Sequence, residues 1–107
     1  MIPVPTNGKS RPPKFPLGQV LATPGALEAL ATSGESPAQF LAQHVRGIWG
    51  DELSADDKQR NDEALLDGSR ILSAYRTSQN AKIWIITEAG DDRGQRAATT
   101  ILLPDEY

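Results

Sequence analysis

The stretch SRILSAYRTSQNAKIWIITEAGDDRGQRAATTILLPDEY, residues 69–107, decides the fold. It reads as three successive strands, residues 70–76, 82–88 and 97–103, separated by loops at 77–81 and 90–94. Side chains in a strand alternate between faces. Ile71, Ser73 and Tyr75 therefore point one way, and Leu72, Ala74 and Arg76 the other. The second strand sets Ile83, Ile85 and Thr87 against Trp84 and Ile86, and the third sets Thr99 and Ile101 against Ala98, Thr100 and Leu102. The middle strand is apolar on both faces, so it belongs at the centre of the sheet with helices over one side. Pro104 ends the last strand.

Working outward, the segment before this meander carries helix-start signals. Thr23-Pro24 places a capping residue before a proline at the first helical position, where its missing N–H costs nothing. Leu27 and Leu30 share one face, and Gly34 suits a left-handed C-cap. Ser36-Pro37 repeats the signal, with Gln39 placed to close a capping box. Leu41, Val45 and Ile48 then fall at helical spacing and predict a buried face, with Phe40 and His44 beside it; Gly47 and Gly50 end this second helix. Ser54 with Asp57 opens a third helix, polar at its centre and anchored through Leu53, Ala64, Leu65 and Leu66. Residues 17–22 read as a short first strand. The expected fold is α+β: a short N-terminal strand, three helices, then a three-stranded antiparallel meander packed against them.

With 107 residues the chain fits one domain, able to bury roughly 65% of its unfolded-state surface. Five of the eight prolines lie in residues 1–16, which fixes backbone angles and forbids a helix there. Residues 1–14, with Lys9, Arg11 and Lys14, are thus expected as a flexible proline-rich basic arm and residues 15–107 as the domain. The absence of cysteine removes disulfides and thiolate metal sites. No apolar run approaches the ~18 residues that span a bilayer, and the start lacks a secretory pattern. A cytoplasmic protein without membrane association is the expectation.

The net charge of −3 is unevenly spread. Residues 51–67 hold Asp51, Glu52, Asp56, Asp57, Asp62, Glu63 and Asp67 against only Lys58 and Arg60. This run reads either as a solvated helix or as a docking face for a basic protein partner, with Asp51, Glu52, Asp56, Asp57, Asp62 and Glu63 as its residues. An acidic chain gains no electrostatic help in binding phosphates, which weighs against nucleic acid.

Catalytic signals are sparse. His44 is the only histidine, so a zinc site would have to rely on carboxylates for its other ligands. A Ser73, His44, Asp67 triad can be written, but no nucleophile elbow, phosphate loop or dinucleotide fingerprint accompanies it. Gly90-Asp91-Asp92-Arg93-Gly94 reads as a hairpin loop, since it lacks the alternating ligands and terminal glutamate of a calcium loop. The order of strand, helices and meander is similar to that of RelE/ParE-type toxins. In that alternative Arg70, Tyr75, Arg76 and Lys82 would form a sheet-face ribonuclease site, with Tyr75 as acid or base. Against it, those toxins are generally basic, whereas the pI here is about 5.0.

Five blocks carry a closer resemblance: Phe15-Pro16-Leu17-Gly18-Gln19-Val20-Leu21-Ala22-Thr23-Pro24-Gly25-Ala26-Leu27-Glu28-Ala29-Leu30; His44-Val45-Arg46-Gly47 with Trp49-Gly50; Ser69-Arg70-Ile71-Leu72-Ser73-Ala74-Tyr75-Arg76-Thr77; Lys82-Ile83-Trp84-Ile85-Ile86-Thr87-Glu88-Ala89; and Thr99-Thr100-Ile101-Leu102-Leu103-Pro104. In these the chain resembles the small plasmid-related proteins of bacterial plasmids and integrated elements, some of which carry a type I restriction label. No methyltransferase cofactor motif is present to support that label. The loop at 90–96 is longer than that family's usual connection. The resemblance implies a mobile-element context and transfers no catalytic residue, metal or cofactor. Taken together, the expectation is a non-enzymatic protein-binding accessory factor, monomeric or paired through a sheet edge. A ribonuclease toxin, or nucleic-acid binding through the basic arm, is the alternative.

Overall fold

The structure, a computed structural model, describes residues 1–4 and 13–107. In chain order the elements are β1 (Ile2–Pro3), β2 (Gln19–Ala22), α1 (Pro24–Ser33), α2 (Pro37–His44), α3 (Ala55–Asp67), β3 (Ile71–Arg76), β4 (Lys82–Thr87) and β5 (Ala98–Leu102), with a closing 3-10 turn at Pro104–Glu106. The architecture is α+β. The sheet, however, has five strands in the order β1-β2-β5-β4-β3, and it is mixed. The meander β3-β4-β5 is antiparallel as expected, with Ser73 opposite Ile85 and Ile85 opposite Ile101.

Two strands extend it. β2 runs parallel to β5, with Val20 opposite Thr99, and β1 pairs antiparallel with β2. A parallel pair needs a long crossover, here the three helices and two strands between Ala22 and Ala98, and no turn motif announces it in sequence. Within the segment expected as a free arm, Ile2 and Pro3 thus form an edge strand, and the Val4 amide donates to the Val20 carbonyl at 2.8 Å. Lys9 and Arg11, the other basic members of that arm, lie outside the described residues.

Capping chemistry sets the helix boundaries. The Thr23 hydroxyl accepts from the Ala26 amide at 3.1 Å, and Gly34 adopts φ 73° at the end of α1. α2 departs from expectation at both ends. Ser36 makes no side-chain cap bond, and Gln39 reaches Glu35 instead of closing a box. The helix also stops at His44, so the helical phase is lost before Ile48, which is 45% exposed. In α3, the Ser54 hydroxyl accepts from the Asp57 amide at 3.1 Å. Leu66 does not anchor this helix: it is 91% exposed, and the buried positions are Asn61 and Ala64.

The helices cover one face of the sheet. Ala26 and Leu30 of α1 and Phe40 and Leu41 of α2 pack on Val20, Ala22, Tyr75, Ile83, Ile85 and Ile101. A second cluster joins Phe15, Trp49, Ala64 and Ile71. On the opposite face Leu21, Leu72, Trp84, Ile86 and Thr100 are only half-buried, and Tyr107 packs edge-on against Trp84 with ring centroids 5.8 Å apart.

The outer edge of β3 is sealed by side chain and loop. Asn61 acts as a one-residue strand: its amide nitrogen donates to the Leu72 carbonyl at 2.6 Å, and its carbonyl accepts from the Leu72 amide at 3.1 Å. Next along, the Ala74 amide donates to the Trp49 carbonyl at 3.0 Å. Gly50 sits so close that a Cβ would lie 1.8 Å from the Ala74 carbonyl oxygen, and its φ of 94° suits glycine alone. Dimerisation through β3 would have to displace these contacts. Asn61→Ala should therefore cost about 2–3 kcal/mol in a urea titration, because it orphans a buried donor and acceptor together.

Candidate functional site

Sequence reasoning singled out three groups of residues, and the fold treats them differently. The first is the paper triad. α2 carries His44 into the core opposite β3 and β4, where it is fully buried. Ser73 is indeed its partner, bonded at Nδ1, but Nε2 meets the Thr87 hydroxyl at 2.8 Å. Asp67 is elsewhere, its carboxylate accepting from the Ser69 amide at 2.8 Å.

The chain of bonds has a direction that can be derived. Thr99 donates to the Leu17 carbonyl at 2.8 Å, and a carbonyl can only accept. Its single hydrogen is thereby used, so Thr87 must donate to Thr99 across their 2.8 Å contact. Thr87 must then accept from His44 Nε2–H, which leaves Nδ1 as the acceptor for the Ser73 hydroxyl. His44 is thus the neutral Nε2–H tautomer. Burial, helped by the Arg96 charge, pulls its pKa down to about 3. Phe15 and Trp49 close over the ring at centroid distances of 5.1 and 6.0 Å. With Ser73 and His44 both at 0% exposure, no substrate atom reaches this pair. It joins α2 to β3, β4, β5 and the lead-in to β2.

The second group, the sheet-face set, does not converge. Tyr75 points into the core, away from Arg76, and its hydroxyl donates to the Ile48 carbonyl. Burial pushes the phenol up to about 12, so it is a poor acid or base near neutrality. Arg70 directly precedes β3 and Arg76 ends it, roughly 20 Å apart at ordinary strand rise. Arg70 donates to the Tyr107 hydroxyl, Arg76 pairs with Glu52 and donates to Asn80 Oδ1 at 2.9 Å, and Lys82 is exposed across from Arg76.

The third group is on the surface. Asp51, Glu52, Asp56, Asp62 and Glu63 are exposed and Asp57 is half-buried. Asp56 and Asp57 occupy the first turn of α3, where the helix dipole favours them. Asp62 accepts from the Trp49 indole at 3.0 Å, and Glu63 from Gln59 at 3.3 Å.

Beside this surface lies a cleft of about 460 Å³, lined by Glu35, Gln39, Phe40, Gln43, Ile48, Gly50, Asp51, Glu52, Tyr75 and Arg76. It exists because α2 ends early: the chain turns at residues 45–50 and lays Ile48 and Asp51 opposite the start of the same helix. Glu35 is fixed on one wall, accepting from the Ser78 amide at 2.8 Å and from Gln39 at 3.2 Å. The Ser78 amide bond leads the contacts that hold its carboxyl below the usual range. Glu52 is fixed on the other wall by Arg76. Of four charged side chains lining the cleft, three are acids, and the single cation is already paired.

No protein-family model, curated protein or solved structure matches this chain. The chemistry must be read from the residues. Among the described residues, no three His, Asp or Glu side chains gather as a metal site would require. In the loop at 90–96, Asp91 is engaged internally, accepting from the Arg93 and Gln95 amides at 2.9 Å each. No helix of the described residues is long and apolar enough to cross a membrane.

Sequence reasoning missed Glu35, Ile48 and Arg96. Glu35 carries no local motif, and the spacing of Ile48 from Leu41 and Val45 placed it on a buried helix face, whereas it is 45% exposed at the cleft. Arg96 is buried: its guanidinium donates to the carbonyls of Ser69 at 2.7 Å, Glu88 at 3.0 Å and Ala64 at 3.1 Å, and lies 5.7 Å from the Phe15 ring centroid. Its place in sequence, at the end of a hairpin loop, carries no sign of this burial.

Proposed function

We propose that this chain is a non-enzymatic, protein-binding factor that engages its partner through the acidic surface running from the cleft at Glu35, Asp51 and Glu52 onto α3. On the strength of the sequence resemblance, we place it as an accessory of a bacterial plasmid or integrated mobile element, acting in the cytoplasm on a host defence or regulatory protein. The observation that carries the reading is the division of labour among polar groups. The groups suited to acid–base chemistry, His44, Ser73 and Tyr75, are buried and bonded. The exposed ionisable groups on α3 and the loop before it are predominantly carboxylates.

An acidic face speeds encounter with a basic protein and repels phosphate backbones, so it selects its partner class. A tagged chain should recover from bacterial lysate a stoichiometric protein that elutes as salt is raised. Reversal of Asp56, Asp57, Asp62 and Glu63 to lysine should abolish recovery; recovery indifferent to those reversals would remove the acidic face from the account. Induction should not arrest growth. Arrest relieved by Arg76→Ala, with the fold intact, would favour the ribonuclease alternative instead.

A further inference from the structure

We infer that the cleft between α2 and the loop at 48–52 is the anchor of this interface, and that it seats a lysine or arginine side chain from an extended basic segment of the partner protein. This rests on the protein-binding reading above and gives the partner's chemistry at one point of contact. The cleft offers two kinds of surface together. Its apolar lining is Phe40, the Tyr75 ring and Ile48, and of these Ile48 presents the most surface, being 45% exposed. Its walls are carboxylates at separate positions.

Long cationic side chains match that pairing, because they lay an apolar stem on hydrocarbon while the charged head stays at a polar rim. Glu35 and Glu52 are held by bonds from their own neighbours, so little ordering remains when a cation arrives. Asp51 is exposed beside them and supplies a further carboxylate. The same separation argues against a bare divalent ion, since no three acidic or histidine side chains converge among the described residues. A phosphate-bearing ligand would meet three carboxylates and an arginine already neutralised. The size fits as well: about 460 Å³ lies within the range of roughly 300–1,000 Å³ common for ligand clefts, enough for a side chain and its flanking backbone.

The probe is a fluorescein-labelled peptide of alternating serine and arginine, with citrulline replacing arginine in the control, followed by fluorescence anisotropy on the full chain. The arginine peptide should bind at low salt and the citrulline peptide should not. Asp51→Asn and Ile48→Ser should each weaken binding by on the order of tenfold. Both positions are exposed, and the Tyr75 hydroxyl bonds the main chain at residue 48, so thermal unfolding should report intact folds. The control Glu28→Gln, exposed and outside both the cleft and the acidic face, should bind within about twofold of the parent. The α3 double variant Asp56→Asn, Asp62→Asn should weaken binding less than Asp51→Asn does, because neither α3 residue lines the cleft. If the α3 variant weakens binding and Asp51→Asn does not, the cleft assignment is overturned while the acidic-face reading stands. Equal binding of both peptides, or none of the arginine peptide, also overturns it. The lysate recovery then decides separately whether protein binding through the acids survives.

Discussion

Arg96→Met is expected to lower the stability of the fold by about 3 kcal/mol, because a buried acceptor left without its donor costs about 1–3 kcal/mol. Methionine fills much of the same space but donates nothing. The Ala64 carbonyl retains the Gly68 amide, whereas the carbonyls of Ser69 and Glu88 face an apolar stem in place of the guanidinium. The Arg96 fork ties together the end of α3, the lead-in to β3 and the exit from β4, and it brings positive charge to the negative end of the α3 dipole. Urea denaturation of the two proteins measures the difference. Arg96→Lys should recover only part of the loss, since one ammonium cannot reproduce the planar fork. A loss under about 1 kcal/mol for the methionine variant would mean that water or backbone shifts replace the arginine easily.

The second large effect is on acid stability, through the only histidine in the chain. In the fold, His44 has its pKa drawn down to about 3 by burial and by the Arg96 charge. In the unfolded chain it titrates near the ordinary value of about 6.5. Above that pH the ring is neutral in both states and the native bonds contribute fully. Between about 6.5 and 3 the unfolded state takes up a proton that the native state refuses, so stability falls as pH falls. From pH 8 to 5 the loss should approach about 2 kcal/mol, at about 1.4 kcal/mol per unit well below the unfolded pKa. Glu35, Asp67 and Glu106 also have lowered folded pKa values, but as carboxylates they act in a lower window, near and below pH 4.5.

His44→Ala separates the two contributions. At pH 8 it should cost about 3 kcal/mol, from the cavity and from the Ser73 hydroxyl and Thr87 left without their ring partner. Between pH 6.5 and 5 its stability should be nearly flat, so parent and variant converge as the solution is acidified. Denaturant midpoints taken every half unit of pH would show the convergence. Parallel curves would mean that the native ring takes up its proton as readily as the unfolded one.

These effects belong to groups that sequence reading handled unevenly, for physical reasons. The strands β3, β4 and β5 were legible because their signal is local: alternation with period two, bounded by turn residues and Pro104. Thr23-Pro24 and Ser54 announced helix starts for the same reason, since a cap acts within three residues. The parallel register of β2 on β5 arises between positions some eighty residues apart and leaves no mark in either segment. Asn61 in the polar centre of α3 gave no sign that it would pair with Leu72. Helical periodicity was carried past His44 to Ile48, so the turn that opens the cleft was missed. The acids of the candidate surface were visible in composition. Their neighbours Glu35 and Ile48 were not, because only the packing of α2 against the β3 edge brings them together.

The claim that the acidic side of this molecule is its working surface can be tested most directly by photo-crosslinking in a bacterial host. p-Benzoylphenylalanine would replace Ile48 at the cleft, Glu63 on α3 or Ile86 on the opposite face of the sheet. The account predicts a discrete protein adduct from positions 48 and 63 and none from position 86. An adduct from position 86 alone would contradict it and assign the binding role to the half-open sheet face.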